Sequence, residues 1–150
     1  MAVLTTDILL TGVRREAAFD WLGDPTNHLR ILQNAFDGVH DNRDGDFSLR
    51  FAAPAFRRRT MGYRFLKKDD SHGGRRVLVE TTGKRTAGNL NYSLRTMKPS
   101  TNTMVTLHMD YTPGDLLGQL IDAVTLRDAL EERWKIVLRD LKAAIEADQI

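Results

Sequence analysis

Cysteine is absent from this 150-residue chain, which excludes a disulfide framework, a thiolate nucleophile and any zinc site built on cysteine. No segment is continuously apolar for the ~18 or more residues that a membrane-spanning helix needs. The start, MAVLTTDILLTGVRREAAF, has no basic stretch ahead of an apolar one, so a soluble cytoplasmic protein is expected. Charge of one sign is also lacking, since 22 Lys and Arg against 20 Asp and Glu leave only +2. That balance gives no reason to expect a nucleic-acid partner. GxSxG, the P-loop and GxGxxG are all missing, so hydrolase, nucleotide-dependent and dinucleotide-dependent readings lose their main support.

What is present reads as one domain over residues 1–150. With 41% hydrophobic and 28% charged residues, the chain is long enough for a single sizeable core. Val3 to Leu10 is rich in Val, Leu, Ile and Thr and reads as a strand closed by Gly12. Arg14 to Leu22 puts Ala18, Phe19 and Leu22 on one helical face, before Gly23-Asp24-Pro25 interrupts it. Asp24 suits an N-cap and Pro25 a first helical position, so a second short helix is predicted from Pro25 to about Ala35, with Leu29 and Leu32 inward.

From Phe36 to about Thr112 the apolar period is two. Phe47, Leu49 and Phe51 alternate with polar or small residues, as do Met61, Tyr63 and Phe65; Val77, Val79 and Thr81; Leu90, Tyr92 and Leu94; and Val105, Leu107, Met109 and Tyr111. The gaps APAFRRR, KKDDSHGG, TGKRTAG and KPSTN all carry turn chemistry. Hairpins that set Val79 near Leu90 and Leu94 near Val105 keep these residues on one face, and a one-residue slip would expose them. An antiparallel, curved meander with one apolar face follows. Its outward residues, Arg64, Glu80, Asn91, Arg95, Thr106, His108 and Asp110, are mostly polar. From about Leu126, a stripe of Leu126, Leu130, Trp134, Val137, Leu141 and Ile145 marks a long amphipathic helix that must pack on the sheet.

Together with REAAFDWLGDPTNH after the first strand and TPGDLLGQLIDAV before the last helix, this order of elements resembles the START-like, or SRPBCC, superfamily. That superfamily includes lipid-transfer, pollen-allergen, polyketide cyclase/dehydrase, coenzyme Q-binding and Aha1-like proteins. The resemblance implies an α+β helix-grip fold: a curved antiparallel sheet wrapped around a long C-terminal helix, with two short helices after the first strand. It also implies an internal cavity for an apolar or amphipathic ligand such as a lipid, isoprenoid or polyketide. The lining expected from the inward positions is Phe51, Tyr63, Phe65, Val79, Thr81, Leu90, Tyr92, Leu94, Leu107, Met109 and Tyr111, joined by Leu117, Ile121 and Trp134. Residues 113–124 are expected to lie across one mouth as a lid or a static plug. No cofactor is implied.

Three functions stay open: a carrier of an apolar small molecule, a cyclase or dehydratase of the polyketide type, and a co-chaperone-like interaction module. An enzyme needs a positioned acid or base, for which His28 and Tyr92 are the candidates. Buried tyrosine hydroxyls must find partners, whether a ligand or one another. His40, His72 and His108 are scattered, His108 is expected to face solvent, and no metal site is assembled. DNRDGD has its glycine and closing glutamate misplaced for a calcium loop, so a hairpin turn at Asp44-Gly45 is the better reading. NYS at Asn91 is discounted as a glycosylation acceptor in mid-strand. Arg57, Arg58 and Arg59 read as a loop that is either solvated or in transient contact with an anionic membrane surface; no integral membrane segment is expected.

Overall fold

Alternation dictates a sheet, and the seven strands among the described residues form one, entirely antiparallel, in the order β1-β7-β6-β5-β4-β3-β2. The computed structural model describes residues 1–52, 58–99, 101–113 and 120–149, without the side chains of 120–122. The elements are β1 (Ala2–Leu10), α1 (Arg15–Leu22), α2 (Pro25–Leu32), β2 (Gly38–Arg43), β3 (Asp46–Ala52), β4 (Arg58–Asp69), β5 (Arg76–Thr82), β6 (Gly88–Met97), β7 (Asn102–Tyr111) and α3 (Leu120–Asp148).

Local chemistry sets the boundaries. Asp24 caps α2 by accepting from the Thr26 amide at 3.0 Å, with Pro25 in the first turn. The helix stops at Leu32, earlier than the expected Ala35, and the chain turns so that Phe36 meets Phe51 and Trp134 edge-on, with ring centroids 6.0 and 5.4 Å away. The β2–β3 turn is at Asp44-Gly45, where φ angles of 59° and 78° give the left-handed conformations of a tight hairpin. A side chain at Gly45 would also press on the Cβ atoms of Phe65 and Pro25 at 3.0 Å. The strand over Gly38–Arg43 goes beyond the alternation read from Phe47 onward, because four of its six residues are exposed at the sheet edge.

Two registers match their expected pairs: Val79 faces Leu90 and Leu94 faces Val105. A bulge in β4 at Leu66, between the pairs Phe65–Val79 and Lys67–Leu78, resets the alternation. Leu66 is consequently exposed and Lys68 shares a face with buried Val77, its ammonium 4.5 Å from the centre of the Phe19 ring and 2.8 Å from Asp20. β4 starts at Arg58, so Arg58 and Arg59 are strand residues opposite Ala52 and Phe51, not loop residues; Arg57 lies outside the described residues.

α3 starts at Leu120, six residues before the expected Leu126. Leu126, Leu130, Trp134, Val137, Leu141 and Ile145 are all buried, as the stripe requires. The far end of α3 is tied down by Asp148, which accepts from Trp21 Nε1 at 2.8 Å and from both terminal nitrogens of Arg30 at 2.8 and 3.2 Å. Two residues earlier, Glu146 accepts from the Thr11 amide and from Lys142 Nζ at 2.8 and 2.6 Å.

Candidate functional site

His28 is fully buried, and it starts a hydrogen-bonded chain through the inner face of the sheet. Its Nε2 lies 2.6 Å from the Leu22 carbonyl, its Nδ1 lies 2.6 Å from the Tyr63 hydroxyl, and that hydroxyl lies 2.8 Å from the Tyr92 hydroxyl. A carbonyl only accepts, so Nε2 carries the proton. Burial pulls the His28 pKa down to about 4, against the opposing pull of the Leu22 bond and Asp24, so the ring is neutral at pH 7. Nδ1 is then an acceptor, Tyr63 must donate to it, and Tyr92 must donate to Tyr63. The direction of every proton in the chain follows from one backbone carbonyl.

Burial raises the pKa of both tyrosines, and Tyr63 is pushed further by its neighbour Tyr92. Acid and base are thus displaced away from neutrality in opposite directions, the reverse of what proton transfer at pH 7 requires. The chain satisfies three buried polar side chains. Aromatic packing closes around it, with Phe65 half-buried and edge-on to His28 at 5.6 Å and Tyr63 tilted over Trp134 at 6.3 Å. Trp134 Nε1 points at Met109 Sδ, 3.3 Å away.

The other inward residues are placed as follows. Val79, Leu90, Leu94, Leu107 and Met109 are buried on the inner sheet face. Thr81 is buried with its hydroxyl donating to the Thr86 carbonyl at 2.7 Å. Tyr111 is buried at the end of β7 opposite Ala2 and Gly88, and burial raises its pKa. Leu117, the side chain of Ile121 and most of the lid or plug over 113–124 lie outside the described residues. His108 is not exposed as expected but half-buried on the outer face, hydrogen-bonded to Thr5 Oγ1 at 3.3 Å, because the edge strand β1 lies against it.

A pocket of about 520 Å³ opens where β3 ends and β4 begins, lined by Asp37, Arg50, Phe51, Ala52, Arg58, Arg59 and Thr60. β2 pairs with β3 only as far as Gly38–Arg50, so β3 continues past the last β2 pair and forms the rim. Among the described residues, Phe51 is the one member of the expected lining that reaches this pocket, and through Phe36 it connects to Trp134. Arg59 pairs with Phe51 and therefore shares its inner face, with Nη2 fully buried. Asp37 is engaged by Arg133 at 3.0 Å, so much of its charge is already compensated. The sequence signal for Arg59 was available: it stands two residues before inward-facing Met61, hidden in a run of three arginines. Among the described residues no group of three His, Asp or Glu is placed to hold a metal, and no helix is long and apolar enough to cross a membrane.

No protein-family model matches the chain, and no curated protein matches it. Solved structures do. The Zhui aromatase/cyclase from Streptomyces sp. R1128 aligns over 97% of this chain and 93% of its own, with a TM-score of 0.69 at 12% identity. Norcoclaurine synthase from Thalictrum flavum, in complex with dopamine and hydroxybenzaldehyde, aligns over 92% and 84% with a TM-score of 0.60 at 11% identity. The Aha1 dimer from Colwellia psychrerythraea aligns over 97% of both chains with a TM-score of 0.57 at 12% identity. Identities this low make the likeness one of fold.

Proposed function

We propose that this protein, whose fold is the START-like helix grip, is a single cytoplasmic domain that binds or carries an apolar or amphipathic small molecule. The observation that carries the reading is the pocket beside Phe51. Its volume of about 520 Å³ falls in the range of roughly 300–1,000 Å³ common to small-molecule sites. Among the described lining residues Phe51 and Ala52 supply apolar surface beside five polar or charged ones, and the pocket adjoins an aromatic path through Phe36 to Trp134. The deeper inward residues serve in this reading as the packed wall behind the site, into which a ligand tail extends by side-chain rearrangement.

Native mass spectrometry of protein purified from its own host, followed by solvent extraction, tests the proposal. A bound lipid, isoprenoid or polyketide-like molecule is the expected result; empty protein that also takes up none of these classes on incubation refutes it. The enzyme reading, a cyclase or dehydratase, draws on the aromatase/cyclase likeness and on His28 and Tyr92. The opposed displacements of their pKa values weigh against it. It requires that His28→Ala and Tyr92→Phe abolish turnover of a polyketide while leaving its binding intact. The interaction-module reading, to which the Aha1 likeness belongs, is not favoured by the outer sheet face, where among the described residues Arg64 and Glu80 pair at 3.4 Å.

A further inference from the structure

Behind the apolar wall of the pocket stands a single ring. Among the described lining residues Phe51 and Ala52 are the apolar ones, and Phe36 lies between Phe51 and Trp134, beyond which comes Tyr63. Phe36 is buried but belongs to neither a helix nor a strand. It stands on the turn between α2 and β2, where Gln33, Asn34 and Asp37 are exposed while Ala35 and Phe36 are turned inward.

Two consecutive residues of α3 hold this turn. The Trp134 ring meets Phe36 edge-on at 5.4 Å, and Arg133 Nη1 donates to the Ala35 carbonyl at 2.9 Å and to Asp37 Oδ1 at 3.0 Å, fastening the chain on both sides of Phe36. From the sheet, the Arg50 carbonyl accepts from the Asp37 amide at 2.8 Å. The Asp37 side chain is 58% exposed and that of Arg133 22%, so water competes for their contact. The ring is thus the deeply buried part of a segment whose fastening lies at the surface.

We infer that Phe36 is a displaceable plug that determines how deep a ligand reaches: the apolar end of the ligand takes the place of the ring between Phe51 and Trp134, and Arg133 is the clasp that holds the plug shut. The inference rests on the small-molecule reading above and deepens it. A ligand confined to the outer pocket sets its apolar part against mostly polar described neighbours, whereas one that replaces the ring is covered by Phe51 and Trp134 and restores apolar burial that the ring gives up.

The test uses 1-decanol, whose uncharged head is indifferent to the loss of a charge at position 133. With the unaltered protein, nuclear Overhauser contacts are expected between the terminal methyl of 1-decanol and the Trp134 indole. Phe36→Ala removes the ring that must be displaced and is expected to tighten binding about tenfold. A vacated ring also makes a cavity that takes any apolar guest, so Arg133→Met is the stricter variant, and it serves alone if Phe36→Ala does not fold. It leaves the plug in place, removes the clasp and is expected to tighten binding about threefold, with Arg133→Lys between it and the unaltered protein. A purely structural role for Arg133 lowers stability without tightening binding. Unchanged or weaker binding by Arg133→Met, or methyl contacts that stop at Phe51 and Ala52, overturns the inference and leaves the small-molecule reading standing. Failure of every one of these proteins to bind 1-decanol also overturns it, and failure to bind dodecanoate as well overturns the small-molecule reading with it.

Discussion

Replacing Tyr63 by phenylalanine removes the hydroxyl that His28 accepts from and that Tyr92 donates to. Both His28 and Tyr92 are 0% exposed, so neither gains water in exchange. An unmet buried polar group costs about 1–3 kcal/mol, and two are left, which puts the loss for Tyr63→Phe at roughly 2–6 kcal/mol. Tyr92→Phe is a different perturbation. Tyr63 still donates to His28 and only one lone pair on its oxygen loses a partner, so the cost is about 1 kcal/mol. The difference between two chemically identical substitutions, 29 residues apart in sequence, comes from the central place of Tyr63, which has two buried partners where Tyr92 has one, and from the direction of the chain, which leaves no unmet donor after Tyr92→Phe. Urea unfolding of both variants at pH 7, with unchanged slopes, measures it directly. Equal costs, or a larger cost at Tyr92, would falsify the buried chain with Tyr63 at its centre and with it the structural role of His28.

Further expectations follow from the same contacts. His28 has a folded pKa of about 4 against an ordinary 6.5, so the unfolded chain binds the extra proton first; about 3 kcal/mol of stability is present above pH 6.5 and lost as pH falls toward 4. Asp69 and Asp148, held down to about 2 by hydrogen bonds from Ser71 and Arg30 respectively, and Glu146, which burial raises but Lys142 lowers overall, act at lower pH, so urea midpoints between about pH 6.5 and 5 report mainly the histidine. Gly45→Ala strains a φ of 78° and crowds Phe65 and Pro25, costing about 1–3 kcal/mol in the same assay. Trp134→Ala empties the centre of the core and costs about 3–5 kcal/mol in thermal or urea unfolding. Asp148→Ala releases Trp21 and Arg30, and amide exchange is expected to speed up in the last turn of α3 and in α1 and α2 while β5, β6 and β7 keep their protection.

The parts of the molecule legible in its sequence are those where burial leaves one choice. Period-two alternation in Val77–Thr81, Leu90–Leu94 and Val105–Tyr111 allows a single register that buries all three sets, and that register is present. Asp44-Gly45 was readable because few residue pairs accept consecutive positive φ angles. The bulge at Leu66 was not readable, since nothing in Phe65-Leu66-Lys67 marks an extra residue until Lys68 is needed over Phe19. The partnership of His28 with Tyr63 spans 35 residues and depends on where α2 crosses the sheet, which no local pattern encodes. Arg59 is an intermediate case: its parity with Met61 and Tyr63 places it inside, but three adjacent arginines look like a solvated loop until β4 is seen to begin at Arg58.

The central claim, a small-molecule site where β3 ends and β4 begins, is tested most directly by amide chemical-shift mapping during titration with dodecanoate. Saturable shifts centred on Phe51, Ala52, Arg59 and Thr60, spreading to Phe36 and the Trp134 indole, are the expected result. An unchanged spectrum, or shifts confined to outer-face residues such as Arg64, Glu80 and Arg95, would contradict the claim.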